Sequence, residues 1–202
     1  QSSVYDSRRN RTLVFMDHCI WAVSGDEVPT WSQIWVGTNP AGFTAGYIYQ
    51  PTGDQVWVFT MMSGTLQPTP GKVWSMDLGT SPLTWVERSY TGTSPKLSLY
   101  SHAFDPVRQR VVVFGGNTAG PGIETNAVRF LELAATPNWT AIAAVQGTPP
   151  TARLASMGVY DAFRDRILFY GGVTGPSYFD ETWALSLSPT LSWTFLTPRQ
   201  FV

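Results

Sequence analysis

Four tryptophans, Trp31, Trp85, Trp139 and Trp193, recur at intervals of 54 residues and divide the chain into equivalent parts. A fixed period of that size marks a repeat architecture, in which each unit buries its apolar faces only against its neighbours. Each indole stands shortly after a proline, in Pro29-Thr30-Trp31, Pro82-Leu83-Thr84-Trp85, Pro137-Asn138-Trp139 and Pro189-Thr190-Leu191-Ser192-Trp193.

The rest of the repeat can be read outward from these fixed points. A second aromatic position precedes each indole at Trp21, Trp74 and Trp183, with Val128 in its place in the third repeat. Further upstream lies an apolar run ending in an aromatic: Thr12–Phe15, Val56–Phe59, Val111–Phe114 and Ile167–Tyr170. Short β-branched and aromatic runs bounded by Gly, Pro, Asn and Asp read as strands. Two of them end in a double glycine, Gly115-Gly116 and Gly171-Gly172.

Three of the runs are preceded by the pattern Asp-x-x-Arg-x-Arg. It comprises Asp6, Arg9 and Arg11, then Asp105, Arg108 and Arg110, then Asp161, Arg164 and Arg166. An Asp opening a tight turn accepts hydrogen bonds from the turn amides, and an Arg returning beside it pairs with the carboxylate. The second repeat has Gln50-Pro51-Thr52-Gly53-Asp54-Gln55 instead, a Pro-Gly turn. Each repeat thus parses into four short strands, a to d. In the fourth they are about Ser156–Tyr160, Ile167–Tyr170, Thr182–Leu187 and Ser192–Leu196. Four antiparallel strands of this length make one propeller blade, which must be covered on both faces.

The set Tyr160-Asp161, Arg166, Gly171-Gly172, Trp183 and Trp193, followed by Pro198-Arg199, resembles the kelch motif. The third repeat matches nearly as well, with His102, Phe104-Asp105, Gly115-Gly116 and Trp139. The first and second diverge, since Met16-Asp17 and Thr60-Met61 replace the double glycine. The resemblance implies an all-β fold, a β-propeller of kelch-type four-stranded antiparallel blades in one domain over 1–202. Blade 1 spans about 1–38, blade 2 about 40–93, blade 3 about 95–148 and blade 4 about 150–197. Residues 198–202 are a ring-closing strand or the start of a next repeat. The four repeats either close on themselves, pair with a second copy into about eight blades, or belong to a longer array. The expectation favours a larger assembly, and the start at Gln1 instead of Met reads as a mature or excised piece. All four repeat indoles are expected in the core, with Asp105, Arg110, Asp161, Arg166 and the glycines as structural residues.

Function would reside in the b–c loops, which vary most. Candidate ligand-binding residues are Gln67 in the second loop, Asn117 and Glu124 in the third, and Tyr178 and Asp180 in the fourth. Arg153 joins them, as do Asp17 and His18 in the shortened first loop. That loop leaves only 16 residues between Phe15 and Trp31, against 23 to 26 in the other repeats, so a notch is expected in the rim.

No catalytic set emerges. Adjacent His18 and Cys19 on an extended segment point to opposite sides, and His102 is expected to hydrogen-bond within its blade. Asp180, Glu181 and Glu124 read as solvated loop charges, and Asp26 and Glu27 as turn residues. Galactose oxidase-like members of this fold hold copper with two Tyr and two His, whereas the two histidines here stand in different repeat positions. The Ser-x-Asp-x-Gly-x-x-Trp boxes of sialidase-type propellers are missing too. No cofactor or metal is expected.

With 13 Lys and Arg against 14 Asp and Glu, scattered along the chain, there is no basic field for nucleic acid. No run is long and apolar enough for a membrane helix, so no membrane insertion is expected. The single Cys19 excludes an internal disulfide. The tripeptides Asn10-Arg11-Thr12 and Asn138-Trp139-Thr140 match the glycosylation sequon, a match that is frequent by chance in a Thr-rich chain. The resulting expectation is a non-catalytic binding or scaffold module for protein or glycan, secreted or extracytoplasmic. The alternative is an enzyme whose site is completed by further blades, a second chain or a metal.

Overall fold

The computed structural model describes residues 2–38, 40, 46–60, 71–118, 123–142 and 144–196. Among them there is no helix; four antiparallel sheets are arranged as a four-blade β-propeller. Blade 1 holds β1 (Ser2–Asp6), β2 (Arg11–Phe15), β3 (Cys19–Ser24) and β4 (Trp31–Val36). Blade 2 holds β5 (Gly46–Gln50), β6 (Gln55–Phe59), β7 (Val73–Asp77) and β8 (Val86–Arg88). A short β9 (Thr91–Gly92) then pairs in parallel with the outer strand of blade 3, which is built from β10 (Ser101–Asp105), β11 (Arg110–Phe114), β12 (Val128–Glu132) and β13 (Asn138–Ala141). Blade 4 holds β14 (Met157–Asp161), β15 (Arg166–Tyr170), β18 (Thr182–Ser186) and β19 (Ser192–Leu196). A small hairpin, β16 (Val173–Thr174) and β17 (Ser177–Tyr178), is inserted in it.

Register explains the sequence pattern. Successive side chains on a strand alternate between faces, so each b strand presents two residues to the preceding blade and two to the next. Val56 and Val58 of β6 pack toward blade 1, whereas Trp57 and Phe59 pack toward blade 3. Val111 and Val113 likewise turn back to blade 2, while Val112 and Phe114 turn forward to blade 4. Strands buried on both sides read as unbroken apolar runs for this reason.

The second aromatic position also follows from register. Trp21, Trp74 and Trp183 stand opposite Val14, Val58 and Phe169, and the residue so placed in blade 3 is Arg129, opposite Val113. Val128 belongs one place earlier, opposite Phe114. The expected aromatic is therefore replaced by an Arg in that blade, and its polarity hid the equivalence.

Three apolar clusters join consecutive blades: Leu13, Phe15 and Tyr47 at the first junction, Phe59, Val113 and Trp139 at the second, Phe114, Phe169 and Trp193 at the third. The d-strand indole of blades 2, 3 and 4 thus packs against the blade before it. Trp139 and Trp193 are buried and Trp85 partly so, but Trp31 is 59% exposed, against its expected core position. No described blade stands on its side of blade 1.

The Asp-Arg turns work as expected within a blade. In blade 3, Asp105 accepts hydrogen bonds from the amides of Val107 and Arg108, from Arg108 Nη1 and, at 3.0 Å, from Arg110 Nε. Asp161 holds Arg166 Nε at 2.9 Å in blade 4, and Asp6 holds Arg11 Nε at the same distance in blade 1. Burial alone would raise the Asp6 pKa, but hydrogen bonds from Arg11 and Arg9 outweigh it and leave the group lowered.

The same turns also clasp one blade to the next. Arg9 donates to both oxygens of Asp54 in blade 2, at 2.8 and 2.6 Å, and Arg108 grips Asp165 of blade 4 in the same way at 3.0 and 2.6 Å. Tyr49 donates to Asp54 and Tyr160 to Asp165, each at 3.0 Å. Bidentate Arg–carboxylate pairs are strong and directional, so they fix the rotation of one blade on another. Blades 2 and 3 use a neutral version, in which Gln50 and Thr52 donate to Gln109 at 2.8 and 2.6 Å.

Candidate functional site

Antiparallel connectivity puts all b–c loops and d–a links on one rim and all a–b turns on the other. On the first rim, blade 1 has only the tight turn from Met16 to His18, closed by the Met16 amide donating to the Cys19 carbonyl. Asp17 and His18 are exposed on that turn, in a different blade from the candidates of the third and fourth loops. Gln67 lies outside the described residues.

The loops of blades 3 and 4 are built around their double glycines. Gly115 and Gly116 have φ of +69° and +99°, and a Cβ on Gly115 would stand 2.5 Å from the Arg153 carbonyl oxygen. Positive φ and close backbone approach both require glycine there. The Gly116 amide donates to the Arg153 carbonyl, and the Arg153 amide to the Thr125 carbonyl, so the d–a link is stitched to the blade 3 loop.

Arg153 then joins that link to blade 4. Its Nη1 donates to the Gly171 carbonyl at 3.1 Å, its Nη2 to Glu181 at 2.9 Å, and its guanidinium lies 3.8 Å from the Phe179 ring centroid. The side chain is buried and engaged on every side, so Arg153 is a strut for the rim and not an outward-facing ligand. Glu181 also accepts from the Trp183 indole at 2.8 Å; the Trp183 and Arg153 hydrogen bonds hold its carboxyl below the usual range.

The strut carries an exposed tip. Above it the hairpin of β16 and β17 turns through Gly175, and Tyr178 at its end is 86% exposed, with exposed Asp180 beside it. Asn117 and Glu124 form a bridge with each other in the neighbouring loop. Structure therefore brings Asn117, Glu124, Arg153, Tyr178 and Asp180 to the rim of blades 3 and 4, and leaves Asp17 and His18 on blade 1. Among the described residues no group of three or more His, Cys, Asp or Glu is placed to hold a metal ion.

No protein-family model matches the chain, and no curated protein matches it.

Sequence reasoning missed a cavity on the opposite rim. It measures about 310 Å³, lies between blades 2 and 3, and is lined by Gln50, Gln55, Trp57, Arg88 and the Leu133–Ala135 segment. Arg88 donates to Ser75 at 2.8 Å and lies over the Trp57 ring, while the Trp57 indole donates to Gln50 at 2.8 Å. The signal available was the neutral Gln50, Gly53, Gln55 set in the place of the charged turn.

His102 is a junction residue. Its ring meets Phe59 edge-on at 5.4 Å and lies 6.0 Å from Tyr100, and burial pushes its pKa down to about 4 although a hydrogen bond with the Tyr47 backbone opposes the shift. That partner belongs to blade 2, so the expected bond within blade 3 is replaced by one across the junction. Between pH 6.5 and 4 the unfolded chain binds this proton and the folded chain does not. Stability is therefore complete above pH 6.5 and falls as pH is lowered toward 4, by on the order of 2–3 kcal/mol. Urea unfolding at pH 7.5 and 4.5 should show that loss in the native protein and much less of it in His102→Gln; equal losses would remove His102 as the cause.

Proposed function

We propose that the chain is a kelch-type propeller unit serving as a non-catalytic recognition module, secreted or extracytoplasmic, that grips a protein or glycan through the rim of blades 3 and 4. Positive-φ double glycines and the Asp-Arg turns support the kelch reading. Low charge content and abundant Thr, Ser, Gly and Trp support an extracytoplasmic setting.

The observation that carries the binding reading is Tyr178, a nearly bare aromatic on a hairpin braced from beneath by Arg153 and Glu181. A rigid aromatic with a polar tip is a binding anchor of low entropic cost, able to stack on a sugar ring or fill a pocket on a protein. Asp180 adds an acceptor for hydroxyl or amide donors.

Screening the purified chain on a glycan array and a panel of extracellular proteins identifies the ligand class. Tyr178→Ala should then weaken the ligand's binding at least tenfold, as expected for an anchor, with an unchanged melting temperature. Full affinity in Tyr178→Ala and Asp180→Ala would remove this site from the reading, and turnover of a ligand by the chain would replace it with an enzymatic one.

A further inference from the structure

Among the described residues, the two outer faces of the blade series are apolar and carry no covering blade. On the leading face of blade 1, register aligns Tyr5, Thr12, Val23 and Trp31, with Val14 and Trp21 on the same side. Their counterparts on blade 2 are Tyr49, Val56, Met76, Trp85, Val58 and Trp74, which form the junction with blade 1. On the trailing face of blade 4 stand Met157, Val159, Leu168 and Tyr170, aligned with Ser101, Ala103, Val112 and Phe114 of blade 3. Those four are buried against blade 4, whereas Met157 and Val159 are 76% and 61% exposed.

The end repeats of a linear array carry polar outer faces; these do not. Among the described residues no apolar cluster joins blade 4 to blade 1. The polar clasp is open as well. Arg164 holds the place from which Arg9 and Arg108 reach the next blade, yet among the described residues it meets only Asp161 and Phe163 of its own turn. Asn10 holds the place of Asp54 and Asp165, already accepting from Tyr5 at 2.7 Å as those carboxylates accept from Tyr49 and Tyr160.

We propose that two copies of this chain join head to tail, blade 4 of each on blade 1 of the other, and close a single eight-blade ring. The inference goes beyond the binding reading and does not depend on it. The junction continues the three internal ones: the Tyr5, Val14 and Trp31 face meets the Val159 and Tyr170 face, and Arg164 donates to the Asn10 side-chain oxygen of the second copy. Eight blades lie within the range in which such rings close. In a closed pair the second junction forms within an already joined complex, so ring closure is favoured over an open pair.

Light scattering on the full chain eluting from a sizing column, across the micromolar range, should give one species at twice the 22.3 kDa chain mass. Trp31→Glu and Val159→Glu should each yield a folded monomer by circular dichroism, since both side chains are exposed in the single chain. Mixing the two variants should restore a dimer, because Trp31→Glu keeps an intact trailing face and Val159→Glu an intact leading one. A native protein that stays monomeric overturns the proposal. A ladder of larger species overturns ring closure, and a dimer that survives both substitutions overturns the head-to-tail junction.

Discussion

Alanine at the four repeat tryptophans will give unequal losses of stability, although the sequence presents the positions as equivalent. Trp139→Ala and Trp193→Ala should each cost about 3–5 kcal/mol, the usual range for deleting a large buried ring. Trp139 sits against Phe59 at the second junction, and Trp193 touches Phe114, Phe169 and Trp183 at the third. Trp85 is only partly covered by Phe15 and Trp35, so its loss should fall below that range. Trp31→Ala should change the stability of the dilute, monomeric chain by no more than about 0.5 kcal/mol, as exposed positions do. Urea unfolding of the four variants under identical conditions measures the series. A loss at Trp31 equal to that at Trp193 would show that blade 1 has a neighbour on its leading face even in the single chain. The buried Trp139 indole nitrogen has no hydrogen-bond partner among the described residues, so Trp139→Phe should recover most of what Trp139→Ala loses.

The sequence made the blades legible because period, strand runs and turn chemistry agree with one another. In blade 4 the expected strands differ from the observed ones by one residue at four ends, and the d strand coincides. What stayed hidden depends on neighbours in space. Nothing in the Pro-Thr-Trp context of Trp31 distinguishes it from Trp139; only the presence or absence of an adjoining blade does. Arg153 reads in the sequence as a candidate ligand-binding residue because its partners, Gly171 and Glu181, are distant in sequence. The clasp was available in principle. Tyr precedes Asn or Asp by five residues at Tyr5 and Asn10, Tyr49 and Asp54, and Tyr160 and Asp165, and both change together to Phe104 and Gln109 in blade 3. That joint change means that the hydroxyl and its acceptor work as a pair.

The charged turn of blade 3 is likewise held by groups that depend on one another. The Asp105 side chain is fully buried; an Asn there keeps the Oδ1 acceptor for the two turn amides but puts an NH2 donor in place of the Oδ2 that holds the Arg108 and Arg110 guanidinium groups. Arg108 keeps Asp165, but among the described residues Arg110 keeps only Glu132 at 3.9 Å and the face of Phe130. Breaking a buried ion pair on one side costs about 3–5 kcal/mol, chiefly because the remaining charge stays desolvated. Asp105→Asn should therefore be among the most damaging single changes in the chain. Blade 2 indicates the remedy, for it has lost the carboxylate and both arginines together, carrying Gln50, Gly53 and Gln55, and Gln50 is held by Trp57 and Gln109. Arg110→Gln made in the Asp105→Asn background should accordingly add less than it costs alone, with a coupling of about 0.5–3 kcal/mol in a double-mutant cycle from urea unfolding. Strict additivity would mean that the two side chains stabilise the turn independently, and that the joint replacement seen in blade 2 has a cause other than charge balance.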